Sequence, residues 1–205
     1  MTEARKAGPT IGCLMIEDIV SGGHRLSGLC NWLNRQGIYV CRFEWNGTGD
    51  LHREIQEAYH AVRKECGTAC IVAIDRGADA AIALGAQLPV EKTAIILTAQ
   101  ANCMRKHDHR QVARLRRFVR RNAAFCVSDM LIAAQNRNII ENRARQVLNC
   151  TANCLHRQMV VYGNTNKNIC TNGEWMLKEA IFSFLCGREL PKNLAENSEM
   201  CIIYE

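Results

Sequence analysis

Five residues, Ala73-Ile74-Asp75-Arg76-Gly77, constrain this chain more than any others. They follow the apolar run Ala69-Cys70-Ile71-Val72 and lead into the Ala-rich stretch Ala78 to Leu88. A short continuous apolar run reads as a strand buried on both faces, and the stretch after it has helical composition. The turn between them is too short for anything but a sharp corner. Small residues stand two before and two after Asp75, as a strained central residue with crowded flanks requires.

Short β-rich runs alternate with longer helical ones through the rest of the chain, which predicts a parallel α/β architecture. Strands are expected at Ile11 to Ile16, Ile38 to Phe43, Ala69 to Ile74, Ala94 to Thr98, Gln158 to Tyr162 and Cys201 to Tyr204. Helices are expected at His24 to Arg35, Leu51 to Lys64, Gly77 to Leu88, Arg110 to Arg121, within Val127 to Leu148, and at Gly173 to Leu185. Gly37, Gly67 and Gly187 follow helices at positions suited to C-caps. Ile55, Tyr59 and Val62 recur at helical spacing and predict a core stripe. With three prolines and no low-complexity tract, residues 1–205 read as one domain. The expected fold is an open, mostly parallel sheet of about six strands with helices on both faces.

Right-handed crossovers would gather the loops leaving the strand C-termini on one rim, where open α/β sheets build their sites. That rim should hold Glu17 to His24, Glu44 to Asp50, Asp75-Arg76, Ala99 to His109 and Gly163 to Thr171.

Apolar residues make up 48% of the chain and charged ones 22%, an ordinary balance for a soluble globular protein. No run approaches the ~18–20 apolar residues needed to span a bilayer. The charged stretch Met1 to Thr10 lacks a signal-peptide apolar segment, which predicts a cytoplasmic location. The twelve cysteines then read as reduced thiols, several within expected elements (Cys13, Cys41, Cys70, Cys201). Neither Cys66-x3-Cys70 nor Cys150-x3-Cys154 has the tight paired spacing of a zinc site.

The order of pieces resembles the α/β-hydrolase fold, in particular its serine-aminopeptidase and lysophospholipase-like branch, from about residue 10 to 185. The most specific stretch is Leu33 to Asp50, similar to the family's helix, strand and Gly-x-Gly-Asp turn, here Gly47-Thr48-Gly49-Asp50. In this resemblance the corner at Asp75 is the nucleophile elbow. It implies a Ser or Cys there, and the chain has Asp75 instead. It also implies an acid after the strand ending Val160-Val161-Tyr162-Gly163, where Asn166 stands. The His-Gly pair after the first core strand is replaced by Glu17-Asp18, and no histidine follows His156.

Serine at an elbow needs a base to take its proton, and the base needs an orienting partner. A carboxylate is already ionised at neutral pH and can attack unaided, as the resemblance to haloalkane dehalogenases and epoxide hydrolases implies. Those enzymes still use a histidine to activate the water that clears the ester. His107 and His109, expected on the same rim, are the candidate bases. The competing role for Asp75 is a helix cap that accepts backbone N–H groups of the following helix. Cys103-x3-His107-x-His109 lacks a fourth ligand of recognisable spacing, so no metal is assigned, and no cofactor is expected.

Met104 to Arg121 carries eight basic residues against one acid, Asp108, a net of +7 in a chain whose total is +6. Arg110, Arg114, Arg117 and Arg121 would share one helix face opposite Val112, Leu115, Phe118 and Val119. This basic segment, at about 104–148, falls where the resembled family inserts its cap. Guanidinium groups pair phosphate and carboxylate groups in bidentate fashion, so the stripe suits an anionic ligand or an acidic protein surface. No RNA-recognition motif, zinc finger or aromatic platform accompanies it, which speaks against specific nucleic-acid reading. The alternative is a solvated helix face neutralised from elsewhere in the fold.

The sequence thus predicts an α/β-hydrolase-like protein that has lost triad catalysis and acts as a binding or regulatory module through this Arg-rich helix. The alternative is a hydrolase of ester, carbon–halogen or epoxide bonds with Asp75 as attacker and His107 or His109 as base. A third reading places the catalytic histidine in a segment outside this chain, and leaves Asp75 and Asn166 unexplained.

Overall fold

Seven strands form one sheet in the order β2-β1-β3-β4-β5-β6-β7. The computed structural model describes residues 10–17, 26–45, 50–85, 87–98, 117, 127–134, 156–161, 173–190 and 201–204. The strands are β1 (Ile11–Ile16), β2 (Tyr39–Phe43), β3 (Thr68–Ile74), β4 (Val90–Leu97), β5 (Val127–Ala134), β6 (His156–Val161) and β7 (Cys201–Tyr204). Strands β1 to β6 run parallel, and β7 lies antiparallel to β6. The described helices are α1 (Ser27–Arg35), α2 (Leu51–Glu65), α3 (Gly77–Gly85) and α4 (Gly173–Leu185).

Period-two alternation sends successive side chains to opposite faces, and both faces are covered. Leu14, Ile16, Ile71 and Ala73 pack in one core with α2 and α3. Cys13, Met15, Cys70, Val72 and Ile74 pack in the other with α1 and α4. The predicted stripe Ile55, Tyr59 and Val62 is buried, joined by Leu51 at the start of α2. Asp50 caps that helix, its Oδ1 accepting from His52 N at 3.0 Å. On the opposite face Lys92 donates to the Phe184 and Leu185 carbonyls at 2.8 and 3.2 Å, tying the end of α4 to β4.

The alternating architecture matches expectation, with two kinds of correction. Val127–Ala134 is a strand that the sequence did not predict, which raises the count from about six to seven, and the rest of the stretch where a helix was expected, 135–148, lies outside the described residues. Within the strand, Met130 to Ala133 are buried between β4 and β6. A short apolar run satisfies strand and helix patterns alike, and pairing with neighbours distant in sequence decides between them. Several boundaries also shift: α1 starts at Ser27 and not His24, α3 ends at Gly85 and not Leu88, and β4 starts at Val90 and not Ala94. Gly37 and Gly187 take the left-handed conformation expected after helices, with φ of 85° and 67°. Gly67 does not, because α2 ends in an extended Cys66 with φ −124° and ψ 150°.

The chain leaves β1 for β2 on one side, then returns to place β3 on the other. That reversal makes the C-terminal ends of β1 and β3 a topological switch point, the place where open α/β sheets hold their ligands.

Candidate functional site at the strand–helix corner

Asp75 stands at that switch point, directly after β3. It is the one non-glycine with positive φ (49°) among the described residues. Its N–H donates to Ile96 O at 2.8 Å, so the β3–β4 ladder runs one residue past the strand before the chain turns. The corner is tight. A Cβ added to Gly77 would lie 2.5 Å from the Ile16 carbonyl oxygen and 3.0 Å from that of Glu17. Ala73 and Ala78, on either side, are buried. This is elbow geometry, with small residues where the bend demands them.

The side chain at the bend is turned along the rim. Thr98, one residue beyond β4, donates its backbone N–H to Asp75 Oδ1 at 2.7 Å and its hydroxyl to Oδ2 at 2.6 Å. Both contacts have the short lengths of hydrogen bonds to a charged acceptor. Asp75 and Thr98 are each 1% exposed. Both carboxylate oxygens engage Thr98, across the sheet from the helix that an Asp before α3 was expected to cap. In the first turn of α3, Ala78 N donates to Asp75 O and Asp79 N to Arg76 O, each at 3.2 Å.

Further along the rim, Glu17 directly follows β1. Its carboxylate accepts from Arg42 Nη2 at 2.7 Å, with Glu44 a second neighbour of that nitrogen at 3.5 Å. Arg76 beside the elbow is 2% exposed, the bulkiest of the fully buried side chains. The sequence had placed Glu17, Glu44 and Asp75-Arg76 on one rim, and the structure brings them there.

Five of the described thiols are held in the protonated form by burial. Burial pushes Cys30 up to about 11, with Arg42 pulling it down and Glu17 pushing it up. Burial pushes Cys70 up to about 12, and raises Cys13, Cys41 and Cys66 as well. A thiol held protonated attacks poorly. Cys13, Cys30, Cys41, Cys66, Cys70 and Cys186 carry no disulfide. Among the described residues no group of three or more His, Cys, Asp and Glu could hold a metal ion. No described helix is long and apolar enough to cross a membrane.

His52 sits in the first turn of α2, with Nε2 2.6 Å from Gln87 Oε1. His107, His109, Arg110, Arg114, Arg121 and the Gly163 to Asn166 turn lie outside the described residues. Arg117 is described, helical and exposed.

Sequence reading missed Thr98 and the Glu17–Arg42 pair. Thr98 had a signal: it is the polar residue closing an apolar strand, and a strand adjacent to the elbow strand delivers its last residue to the elbow. Arg42 had a weaker one, a lone charge inside an otherwise apolar β2.

No protein-family model and no curated protein sequence matches the chain. Solved structures do match. One, from work on LipS and LipT, two metagenome-derived lipolytic enzymes, aligns with a TM-score of 0.64 at 12% identity, over 89% of this chain and 96% of its own. Est1E from Butyrivibrio proteoclasticus aligns at 0.58 and 12% identity, over 88% of each chain. At such identity the likeness speaks for architecture alone. With the parallel sheet and its elbow, it gives this chain an α/β-hydrolase fold.

Proposed function

We propose that this protein has given up triad catalysis and works as a binding or regulatory module on an α/β-hydrolase fold. The observation that carries the reading is the state of the elbow carboxylate, buried and held by two donors of Thr98. A nucleophile needs a lone pair aimed at an accessible carbon, with a base in reach to complete the cycle. Here the lone pairs meet Thr98, and Glu17, directly after β1, is paired with Arg42.

The contact surface in this reading is the Arg-rich segment with Arg110, Arg114, Arg117 and Arg121, and its partner is an anionic ligand or an acidic protein surface. Exposure of Arg117 supports it. The reading carries a cytoplasmic location, supported by the disulfide-free buried thiols.

One observation favours a second reading. A non-glycine residue with φ of 49° is strained, and such strain concentrates where chemistry happens. In that case Asp75 attacks an ester, haloalkane or epoxide carbon, and His107 or His109 serves as base.

Turnover of nitrophenyl esters, an epoxide and a haloalkane by wild type and Asp75→Ala separates the two. Equal background rates are expected, and multiple turnover lost in Asp75→Ala would overturn the non-catalytic reading. Retention on heparin across a salt series tests the surface. Charge reversal at Arg114 and Arg117 should lower the eluting salt concentration, and unchanged elution refutes the anion-binding role.

A further inference from the structure

We propose that Cys13 and Cys70 form a buried two-thiol site for a soft monovalent cation, cuprous ion, held between two neighbouring strands of the sheet. The inference goes beyond the binding-module reading above and does not depend on it. Cys13 of β1 lies directly opposite Cys70 of β3, and Cys70 lies opposite Lys92 of β4. Lateral partners on parallel strands point to the same face, so the three residues form one row. Helices α1 and α4 pack on that face. Both cysteines are 0% exposed, belong to one core and carry no disulfide.

The spacing of the row selects what can join the two sulfurs. Parallel strands stand about 4.7–4.9 Å apart, so side chains in matching rotamers carry their sulfurs at about that separation. A disulfide draws its Cβ atoms to about 3.8 Å, which these strands would reach only by being pinched together. Two metal–thiolate bonds of about 2.3 Å laid end to end span about 4.6 Å, close to the strand spacing. Zinc takes three or four protein ligands, and among the described residues no group of three His, Cys, Asp or Glu could hold an ion. Cuprous ion is satisfied by two thiolates in line, and soft thiolates select it over harder cations.

Protons and charge balance at the site. Each thiol gives its proton to water as its sulfur takes the ion. Copper stays cuprous throughout, so no oxidant or reductant takes part. Two thiolates and one monovalent cation leave a single negative charge, which an apolar core disfavours unless it is paired. Lys92 is the next member of the row, its Nζ fixed 2.8 and 3.2 Å from the Phe184 and Leu185 carbonyls on the same face. Its charge already acts on the neighbouring sulfur: burial pushes Cys70 up to about 12, and Lys92 pulls the other way.

The test refolds the full chain from urea with a thiol-free reductant and cuprous ion, then measures copper retained against excess bicinchoninate. Wild type should keep one equivalent more than Cys13→Ala or Cys70→Ala, each shown folded by near-UV circular dichroism. Loss of one of two thiols should weaken retention roughly a hundredfold or more. Val replacements stand in where an Ala variant does not fold. Cys41 lies opposite Leu14 and packs in the other core, so Cys41→Ala should keep the wild-type amount, as should Cys30→Ala. Copper should also raise the melting midpoint of wild type more than that of the Cys13 and Cys70 variants, as binding to the folded state requires. Equal copper in wild type, Cys13→Ala and Cys70→Ala overturns the site. Loss of the same equivalent in Cys30→Ala or Cys41→Ala overturns it equally. None of these results bears on Asp75 or on the Arg-rich surface, which stand or fall by their own assays.

Discussion

Replacing Asp75 by Ala, Gly and Asn asks whether the elbow residue is a strut or an attacker held under tension. In the structure Asp75 gains two charge-assisted hydrogen bonds from Thr98 and bears the strain of φ 49°. Hydrogen bonds to charged groups contribute about 1.5–3 kcal/mol each. Two bonds from one residue are not independent, so their joint loss in Asp75→Ala should cost about 3 kcal/mol. At 2–4 °C per kcal/mol for a chain of this size, the melting midpoint should fall by about 6–12 °C. Asp75→Gly loses the same bonds but relieves the left-handed strain, a gain of about 1–2 kcal/mol partly offset by the extra freedom of unfolded glycine. It should therefore be more stable than Asp75→Ala by about 0.5–1 kcal/mol. Asn tolerates this backbone conformation, can still accept from Thr98 N, and can donate to a rotated Thr98 hydroxyl. Asp75→Asn should be the mildest, at about 1 kcal/mol.

Urea unfolding followed by far-UV circular dichroism measures the series, provided the slope m stays constant. The expected midpoint order is wild type, Asn, Gly, Ala. A residue kept for catalysis gives the reverse, because strained active-site side chains are commonly stabilised by replacement, by about 0.5–2 kcal/mol. An Asp75→Ala midpoint at or above wild type would refute the strut. A Gly variant no more stable than Ala would refute the strain. The two outcomes are separate, so the series tests bond and backbone individually and needs no substrate.

Gly77→Ala should cost about 2–3 kcal/mol, since the new methyl group meets the Ile16 carbonyl at 2.5 Å and backbone moves aside less readily than side chains. Gly12→Ala also creates a 2.5 Å contact, but with the Val62 Cγ1 side-chain atom, and should be milder in the same urea assay. Equal costs would show that backbone contact is not what sets them apart. Alkaline pH should destabilise the protein. Cys30, Cys70 and Tyr59, raised by burial to about 11, 12 and 12, keep their protons in the fold after the unfolded chain has lost its own. Their stabilisation is full below the unfolded values near 9 to 10 and is lost as pH rises through the folded values, so the urea midpoint should fall between pH 8 and 10.5. Cys70→Ala should flatten that slope, and a wild-type midpoint that does not move would contradict the burial shifts.

The elbow and the alternation of strands with helices were legible in the sequence because both are local. An apolar run, a small residue and an Ala-rich stretch carry their meaning within a dozen positions. Strand β5 was not, since Val127–Ala134 becomes a strand through β4 on one side and β6 on the other. Pairing across long separations leaves little mark on a short segment. The Glu17–Arg42 pair shows the same limit at the site. Its partners are 25 residues apart and meet only because β1 and β2 run parallel, with Met15 opposite Arg42 and Ile16 opposite Phe43.

Asp75 is the instructive case. Read along the chain, an acid before a helix is a cap, and the residues that follow support that view. Across the sheet it gains a second meaning, because the left-handed bend engages the carboxylate with Thr98, just beyond β4. The surroundings of the elbow side chain are therefore set by the residue that follows the neighbouring strand as well as by the residue in the bend. Thr98 offers two donors to a carboxylate. A residue there with only its backbone N–H to give would leave Oδ2 without its hydroxyl partner.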